Sequence, residues 1–375
     1  MAYVAVKGGA YAIEESIRRL KYERLRKGRV LGIPEVEAGL RSLIDQVMSE
    51  SSLYCEPLAA MAIKQAEGSP EEAVFILRAY RSTLPRKYYS HTVKPEDMEA
   101  ERRISASFKD LPGGQILGSS QDYTHRMLDF ALLDESQAEV DAWLQEFNQT
   151  KASFTGTAKL HALPKVMQYL RDQGLLPVCP VNDTPPDDIT KKSVQFPASR
   201  SQRLQTLTRG QTGAMTALAY AALRGYGAQH PTVGELRVGH LPIFVADPLQ
   251  EAAGEGDAYY LGEIKVTEVE TLFPQGTEKN AGKKELAFVP GYGICFGQNE
   301  TKAIAMSILD QCLETGNPQY PTHNEEFVLM HIDSVEATGF VSHLKLPHYV
   351  TFQSKLDSIR KTKEQITAVT GELKP

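Results

Sequence analysis

Cysteine is scarce and scattered: Cys55, Cys179, Cys295 and Cys312 lie far apart and form no C-x-x-C pair. That excludes a disulfide framework as the basis of the fold and an iron-sulfur cluster held by this chain alone, so any radical chemistry would belong to a partner. No apolar run approaches the roughly 20 residues that span a bilayer. The opening MAYVAVKGG also lacks the basic start, apolar core and cleavage site of a signal peptide. The expectation is a cytoplasmic protein with no membrane association. Positive charge is not in excess, the formal net charge being −6, so there is no electrostatic footprint for nucleic acid. A phosphate-bearing ligand would have to be held by a local cluster of Arg and Lys. No internal repeat is present.

What is present is a globular composition. The chain has 375 residues, 42% hydrophobic and 23% charged, enough for two ordinary domains. The first third reads as successive amphipathic helices. Ile13, Ile17 and Leu20 recur at helical spacing, and Pro34 opens a helix carrying Val36, Leu40, Leu43 and Val47. Ser69, Pro70 and Glu72 form the clearest start signal, a capping box before Val74, Leu77 and Leu84. These stripes are read as core.

ERRISASFKDLPGGQILG breaks that pattern, because Pro112, Gly113 and Gly114 permit backbone geometries that other residues resist. A functional loop is expected there, with Arg102, Arg103 and Lys109 able to present charge to an anion. A solvated turn is the plainer alternative. Helical periodicity returns from Asp122 to Gln149 through Tyr123, Met127, Phe130 and Leu133, and His125 is read as facing Asp129 across one turn. LLPVCPVNDTPPDDITKKSVQFP holds five prolines, which makes it the expected connection between domains. The predicted organisation is a mainly helical domain over 1–176, a proline-rich connection over 177–199, and an α+β domain over 200–375. Within the last, 234–246, 257–268 and 285–296 read as a mixed or antiparallel sheet. Gly225 reads as a helix C-cap; the sharper reading has Gly225 and Gly227 admitting a phosphate beside Arg224 and His230. Asn299 can cap a helix through Ile304, Ile308 and Cys312, and Phe352, Leu356, Ile359, Ile366 and Val369 mark an amphipathic helix at the C-terminal end.

The richest chemistry lies in HNEEFVLMHIDSVEATGFVSHLKLPHYVTF, residues 323–352, with His323, His331, His343 and His348 beside Glu325, Glu326, Asp333 and Glu336. His343 and His348 are spaced H-x4-H, which puts the rings roughly 140° apart on a helix and on opposite faces of a straight strand. Pro347 forces a bend that lets the two rings meet. Two ligands fall short of the about four that zinc normally takes. The remainder would come from His331 and Asp333, which share one face if 327–333 is a strand, from His323, or from a partner chain. The alternative is a pair of hydrogen-bonded histidines in a buried turn, and spacing does not choose between these.

EEFVLMHIDSVEATGFVSHLKLPHYV closely resembles the PhnI subunits of the bacterial carbon-phosphorus lyase core complex, the alpha-D-ribose 1-methylphosphonate 5-triphosphate synthase subunits. The resemblance extends to ERRISA at 101–106, PGGQILG at 112–118, DYTHRMLDF at 122–130, SRSQRLQ at 199–205, RGYGAQHP at 224–231 and GYGICFG at 291–297. Residues 135–181 and 251–285 match poorly. The resemblance implies a transferase that helps attach an alkylphosphonate to the anomeric carbon of the ATP ribose, displacing adenine, with purine nucleosidase activity on ATP or GTP. It implies zinc on His343 and His348, near the junction with the radical subunit. It also implies partners of the PhnG, PhnH and PhnJ types.

Such a reaction needs a carboxylate beside the sugar and an acid for the departing base, for which Glu325, Glu326 and Asp333 are the candidates, with Glu336 also available. A triphosphate needs guanidinium or ammonium groups, with magnesium as its companion; Arg200, Arg203 and Arg224 are the candidates, with Arg209 and Lys345 behind them. The competing class is a non-catalytic scaffold that contributes half of a zinc site and docking surface. An independent zinc hydrolase is weaker, because no third ligand at a recognisable metalloprotease spacing accompanies the histidines.

Overall fold

The computed structural model describes residues 8–111, 113–153, 163–177, 182, 184–227, 230–247, 258–279, 283–346 and 348–371. Pro112, Cys179, Pro347 and the opening YVAVK stretch therefore lie outside the described residues. The class is α+β: thirteen α-helices surround one four-stranded sheet among the described residues.

Five helices come first: α1 (Gly9–Leu25), α2 (Ile33–Gly39), α3 (Arg41–Ser51), α4 (Glu56–Gln65) and α5 (Pro70–Ser82). The cap read at Ser69 is present, its hydroxyl accepting from the Glu72 amide at 3.4 Å. Val36, Val47, Ile63, Val74 and Leu77 bury their side chains together, as helical spacing predicts. The stripe of α1 does not join them. Ile13, Ile17 and Leu20 are 52%, 63% and 64% exposed, so an apolar helical face was legible but not that it stays uncovered among the described residues. The helix opened by Pro34 breaks at Leu40 into α2 and α3.

Strand β1 (Glu99–Ile104) follows, then α6 (Gln137–Ser153), α7 (Val166–Asp172), α8 (Arg200–Arg209) and α9 (Thr212–Ala221). Strands β2 (Thr232–Ala246), β3 (Ala258–Lys279) and β4 (Lys283–Phe296) complete a wholly antiparallel sheet of order β1-β2-β3-β4. The chain ends in α10 (Glu300–Thr315), α11 (Glu325–His331), α12 (Ser334–Ser342) and α13 (Tyr349–Gly371).

Contacts cross the proline-rich connection freely. β1 takes in most of ERRISA, which reads from sequence as part of a loop, yet forms an edge of the sheet, and α7 packs on that sheet through Leu111, Val166, Met167, Leu170 and Leu272. Two expectations are corrected. Residues 122–136 are turns and a short 3-10 segment, with Tyr123, Met127, Phe130 and Leu133 between 69% and 79% exposed, so His125 does not face Asp129 on a helix. Asp129 caps the 3-10 turn instead, accepting from the Ala131 amide. Residues 327–333 are no strand either, because the Asn324 side chain accepts from the Phe327 amide at 2.7 Å and starts α11.

α10 is buried along most of its length and holds the main core, where Met306, Ile308, Leu309 and Leu313 meet Leu207, Met215, Val328 and Ile332. It lies directly on β4 because Gly291 and Gly293 have no side chains. A Cβ at either would drive into the backbone carbonyl oxygens of Ser307 and Ala303 on α10. Gly293→Ala is accordingly expected to cost about 3 kcal/mol, the upper range for overpacking. A fall in the urea midpoint checks it, with Gly276→Ala as the control, since nothing lies within 4 Å of that position.

Candidate functional site

The carboxylates and arginines expected to act on substrate are mostly engaged with one another. Arg203 bonds Glu325 at 2.7 Å and also pairs with Glu314, and Glu325 accepts from the Ala198 amide at 2.9 Å. Arg200 reaches the fully buried Asp310 at 2.8 Å. Arg78 holds Asp333 at 2.5 Å, while the other oxygen of Asp333 caps α12. These pairs fasten α8 to α10 and α11, and α5 to α12. Arg224 lies over the Tyr220 ring at 5.8 Å, and Glu326 and Lys345 are exposed. Arg209 has a buried Nε without a hydrogen-bond partner among the described residues; burial, then Arg78 and Arg81, lower its pKa to about 10. The structure thus does not assemble Glu325, Glu326, Asp333, Arg200, Arg203 and Arg224 into one pocket.

A different set does converge. A cleft of about 550 Å³ opens between β1, the loop after it and the start of α10. Its floor is Arg102, whose side chain is 4% exposed and lies 2.5 Å from Asp122 and 3.0 Å from Glu300. Arg102 also donates to the Leu117 carbonyl. The loop can reach it because Ile116 pairs with Arg103 in both directions at 2.8 Å, and because Gly118, at φ 59, has no Cβ to strike the backbone at Glu101 and Arg102. Arg41 adds a second guanidinium beside the Ser119 hydroxyl. Arg126 adds a third, from a left-handed backbone at φ 53 that a non-glycine residue rarely adopts. Gln298 closes the far wall: its amide N–H donates to Asp45 at 2.9 Å, and its side chain donates to the Ser119 carbonyl at 2.7 Å and to Glu300 at 3.0 Å.

Three guanidiniums and two carboxylates therefore face one polar cleft at the N-terminus of a long helix, an arrangement suited to a polyanion next to a centre of developing positive charge. Of these, only Arg102 was singled out from the sequence; Arg103 points to the opposite sheet face and Lys109 does not line the cleft. The signal was nevertheless present, since Arg102, Gly118, Asp122 and Arg126 stand in the ERRISA, PGGQILG and DYTHRMLDF stretches.

The two histidines also meet. The rings of His343 and His348 lie with centroids 5.4 Å apart at 65°. His343 Nδ1 is bonded to the Phe340 carbonyl and His348 Nδ1 to the Leu346 carbonyl. Because a carbonyl only accepts, each Nδ1 carries the proton and each Nε2 keeps its lone pair, the tautomer a metal-binding imidazole requires. The pair is half-buried and exposed respectively, unlike a buried turn. His331 Nδ1 bonds the Phe327 carbonyl in the same way, but His331 does not join the pair; Asp333 is engaged by Arg78 and its cap, and His323 is buried with Nδ1 accepting from the Asn317 amide. Among the described residues no group of three or more such donors could hold a metal ion. The donors fit half of a zinc site.

The fold and these two sites define an α+β protein with an arginine-lined cleft and a preorganised imidazole pair. Residues 2–366 match the family model for the bacterial phosphonate metabolism protein PhnI, and the chain belongs to that family. It is 42% identical to the alpha-D-ribose 1-methylphosphonate 5-triphosphate synthase subunit PhnI of Rhizobium meliloti (strain 1021), covering 97% of this chain and 95% of that protein. It is 40% identical to the subunit of the same name from Escherichia coli (strain K12), covering 97% and 99%.

Removal of Arg102 would leave Asp122 and Glu300 facing each other without their common cation. Arg102→Ala is expected to cost about 3 kcal/mol and to free the 113–122 loop. Faster amide exchange at Ile116, whose N–H bonds Arg103, is the measurement.

Proposed function

We propose that this chain is the subunit of a carbon-phosphorus lyase assembly that helps displace adenine from ATP with an alkylphosphonate, giving ribose 1-alkylphosphonate 5-triphosphate. What supports the reading most is the cleft floored by Arg102, where guanidiniums for a triphosphate and carboxylates for a sugar cation lie within one cavity. In the proposed step a phosphonate oxygen bonds to C1′, the C1′–N9 bond breaks, and its electron pair leaves with adenine, which takes up a proton. Arg41 and Arg126 bind the polyphosphate, with magnesium as its counter-ion, and Arg102 orients Asp122 and Glu300 beside the sugar. Water in place of phosphonate gives the purine nucleosidase reaction on ATP or GTP. Glu325 and Asp333, which do not line this cleft, are assigned positioning roles in place of chemical ones.

His343 and His348 would hold zinc through their Nε2 atoms, and zinc bound there supplies a Lewis acid at the edge of this subunit. With two donors from this chain, the remaining ligands come from a partner of the same assembly. A scaffold that only supplies this half-site and docking surface is the second reading, favoured by the half-buried His343 and exposed His348.

Incubation of the assembled complex with ATP and magnesium is expected to release adenine, read by chromatography. Glu300→Gln is expected to lower the rate about 100-fold, in line with loss of one charge-stabilising group. No adenine above a blank from the wild-type complex would leave only the scaffold. For the metal, His343→Ala and His348→Ala are each expected to lower zinc content in the complex, and chelator competition should give much tighter zinc in the complex than in the isolated chain. Equal affinity in the two would sink the shared site.

A further inference from the structure

The face of the sheet opposite α10 carries charge where an apolar surface is ordinary. Arg103 on β1, Glu235 and Arg237 on β2, Glu268 and Glu270 on β3 and Tyr292 on β4 line it, with Arg237 opposite Glu268, and Glu270 flanked by Glu235 and Tyr292 in the strand register. Glu268 accepts from Tyr292 at 3.2 Å and from Arg237 at 3.0 Å, and Arg103 meets Glu235 at 2.5 Å. Lys165, 8% exposed, enters from the start of α7 and places Nζ 3.1 Å from both Glu268 and Glu270. The cations and carboxylates balance three to three, yet two groups keep capacity. Glu270 Oε2 has no hydrogen-bond partner among the described residues, and the ammonium of Lys165 has three protons for two carboxylates.

Lys165 also lines a cavity of about 270 Å³, walled by Phe108, Tyr169, Leu111 and Val166 and rimmed by Asp110 and Asp172. Phe108 and Tyr169 stand edge to face, 5.7 Å apart at 82°. The volume falls below the range of about 300 Å³ and upward that drug-sized ligands occupy, so it admits one ring system and not a nucleoside triphosphate. The two rim carboxylates disfavour phosphates and suit an exocyclic amine, while the Lys165 ammonium suits a ring-nitrogen acceptor.

From this geometry we infer that the cavity under Phe108 and Tyr169 is a binding site for a planar, amino-substituted heteroaromatic base of the adenine type. The ring stacks against Tyr169, its acceptor nitrogen meets Lys165 and its amine meets Asp172. The site is separate from the arginine-lined cleft, since Arg102 and its neighbour Arg103 serve opposite faces of the sheet. In the reaction proposed above the free base is the departing group, but binding here does not depend on that reaction.

Calorimetry with adenine as the probe, on the full-length chain, is the test. Saturable binding is expected, weakened at least about tenfold by Tyr169→Ala, the loss of one stacking surface, weakened at least threefold by Asp172→Asn, and unchanged by Lys361→Ala, an exposed position on α13 outside both cavities. ATP should compete far less well than adenine. Absence of binding by the wild-type chain, affinity of Tyr169→Ala within twofold of wild type, or ATP competing as well as adenine would each overturn the inference. Asp172 is exposed, so if Tyr169→Ala fails to fold, Asp172→Asn decides, unchanged affinity counting against. Adenine binding without adenine release from ATP leaves this site standing and removes the catalytic proposal, whereas release with no base bound here does the reverse.

Discussion

The approach of α10 to the glycines of β4 fixes the rest of the molecule. With Gly291 and Gly293 bare, the helix sits on the sheet at backbone contact, and its two ends become the fixed points from which neighbouring groups are hung. At one end Glu300 is delivered to Arg102; toward the other, Asp310 is carried into the interior, where it accepts from the Tyr292 amide at 3.0 Å and from Arg200. Burial pushes the Asp310 carboxyl up to about 6 from 3.8, with Arg200 pulling the other way. A folded-state pKa above the unfolded one means that ionisation of Asp310 opposes folding. Its contribution is therefore most favourable below about pH 4 and declines as pH rises toward 6. Arg200 is better understood as limiting that decline than as a hand for phosphate.

Two consecutive arginines divide the labour of the sheet. Alternation along β1 sends Arg102 to the α10 side and Arg103 to the other. Both are buried, and each is matched by carboxylates from elements distant in sequence. Buried ion pairs gain little net stability once desolvation is counted, while an unmatched member costs several kcal/mol. Such residues specify arrangement more than they strengthen it: Asp122 ties the loop after β1 to Arg102, and Lys165 at the start of α7 is tied to Glu268 and Glu270. That explains how a six-residue edge strand with four charged side chains can sit inside the structure.

This is also where the sequence was hardest to read. Periodicity exposes elements that bury an apolar stripe, so α3, α5, α10 and the three long strands were legible, as was the Ser69 cap. It is blind to burial by ion pairing, so ERRISA gave no strand signal and read as a loop, with a solvated turn as the alternative. Tyr123 to Leu133 misled in the opposite sense, showing helical spacing in turns whose large side chains are exposed. The histidine pair was legible because a two-residue motif is local. The cleft was not, because Arg41, Asp122, Gln298 and Glu300 are gathered from positions up to about 260 residues apart, and only the run of matching motifs hinted that they belong together.

The surroundings of the histidines bear on why this chain would work as one subunit. Phe340, Val341, Leu344, Leu346, Tyr349 and Val350 flank His343 and His348 and are between 55% and 75% exposed. Single exposed apolar residues are ordinary, but a run of six around two imidazoles with free Nε2 atoms is a surface that water serves poorly. The exposed stripe of α1 is a second such face. Under the proposed assembly both make sense, since covering the apolar run removes it from water and the same contact brings the missing donors to the metal. Metal affinity and subunit association would then be one linked equilibrium: each partner binds more tightly when zinc is present, by the same factor that the partner tightens zinc.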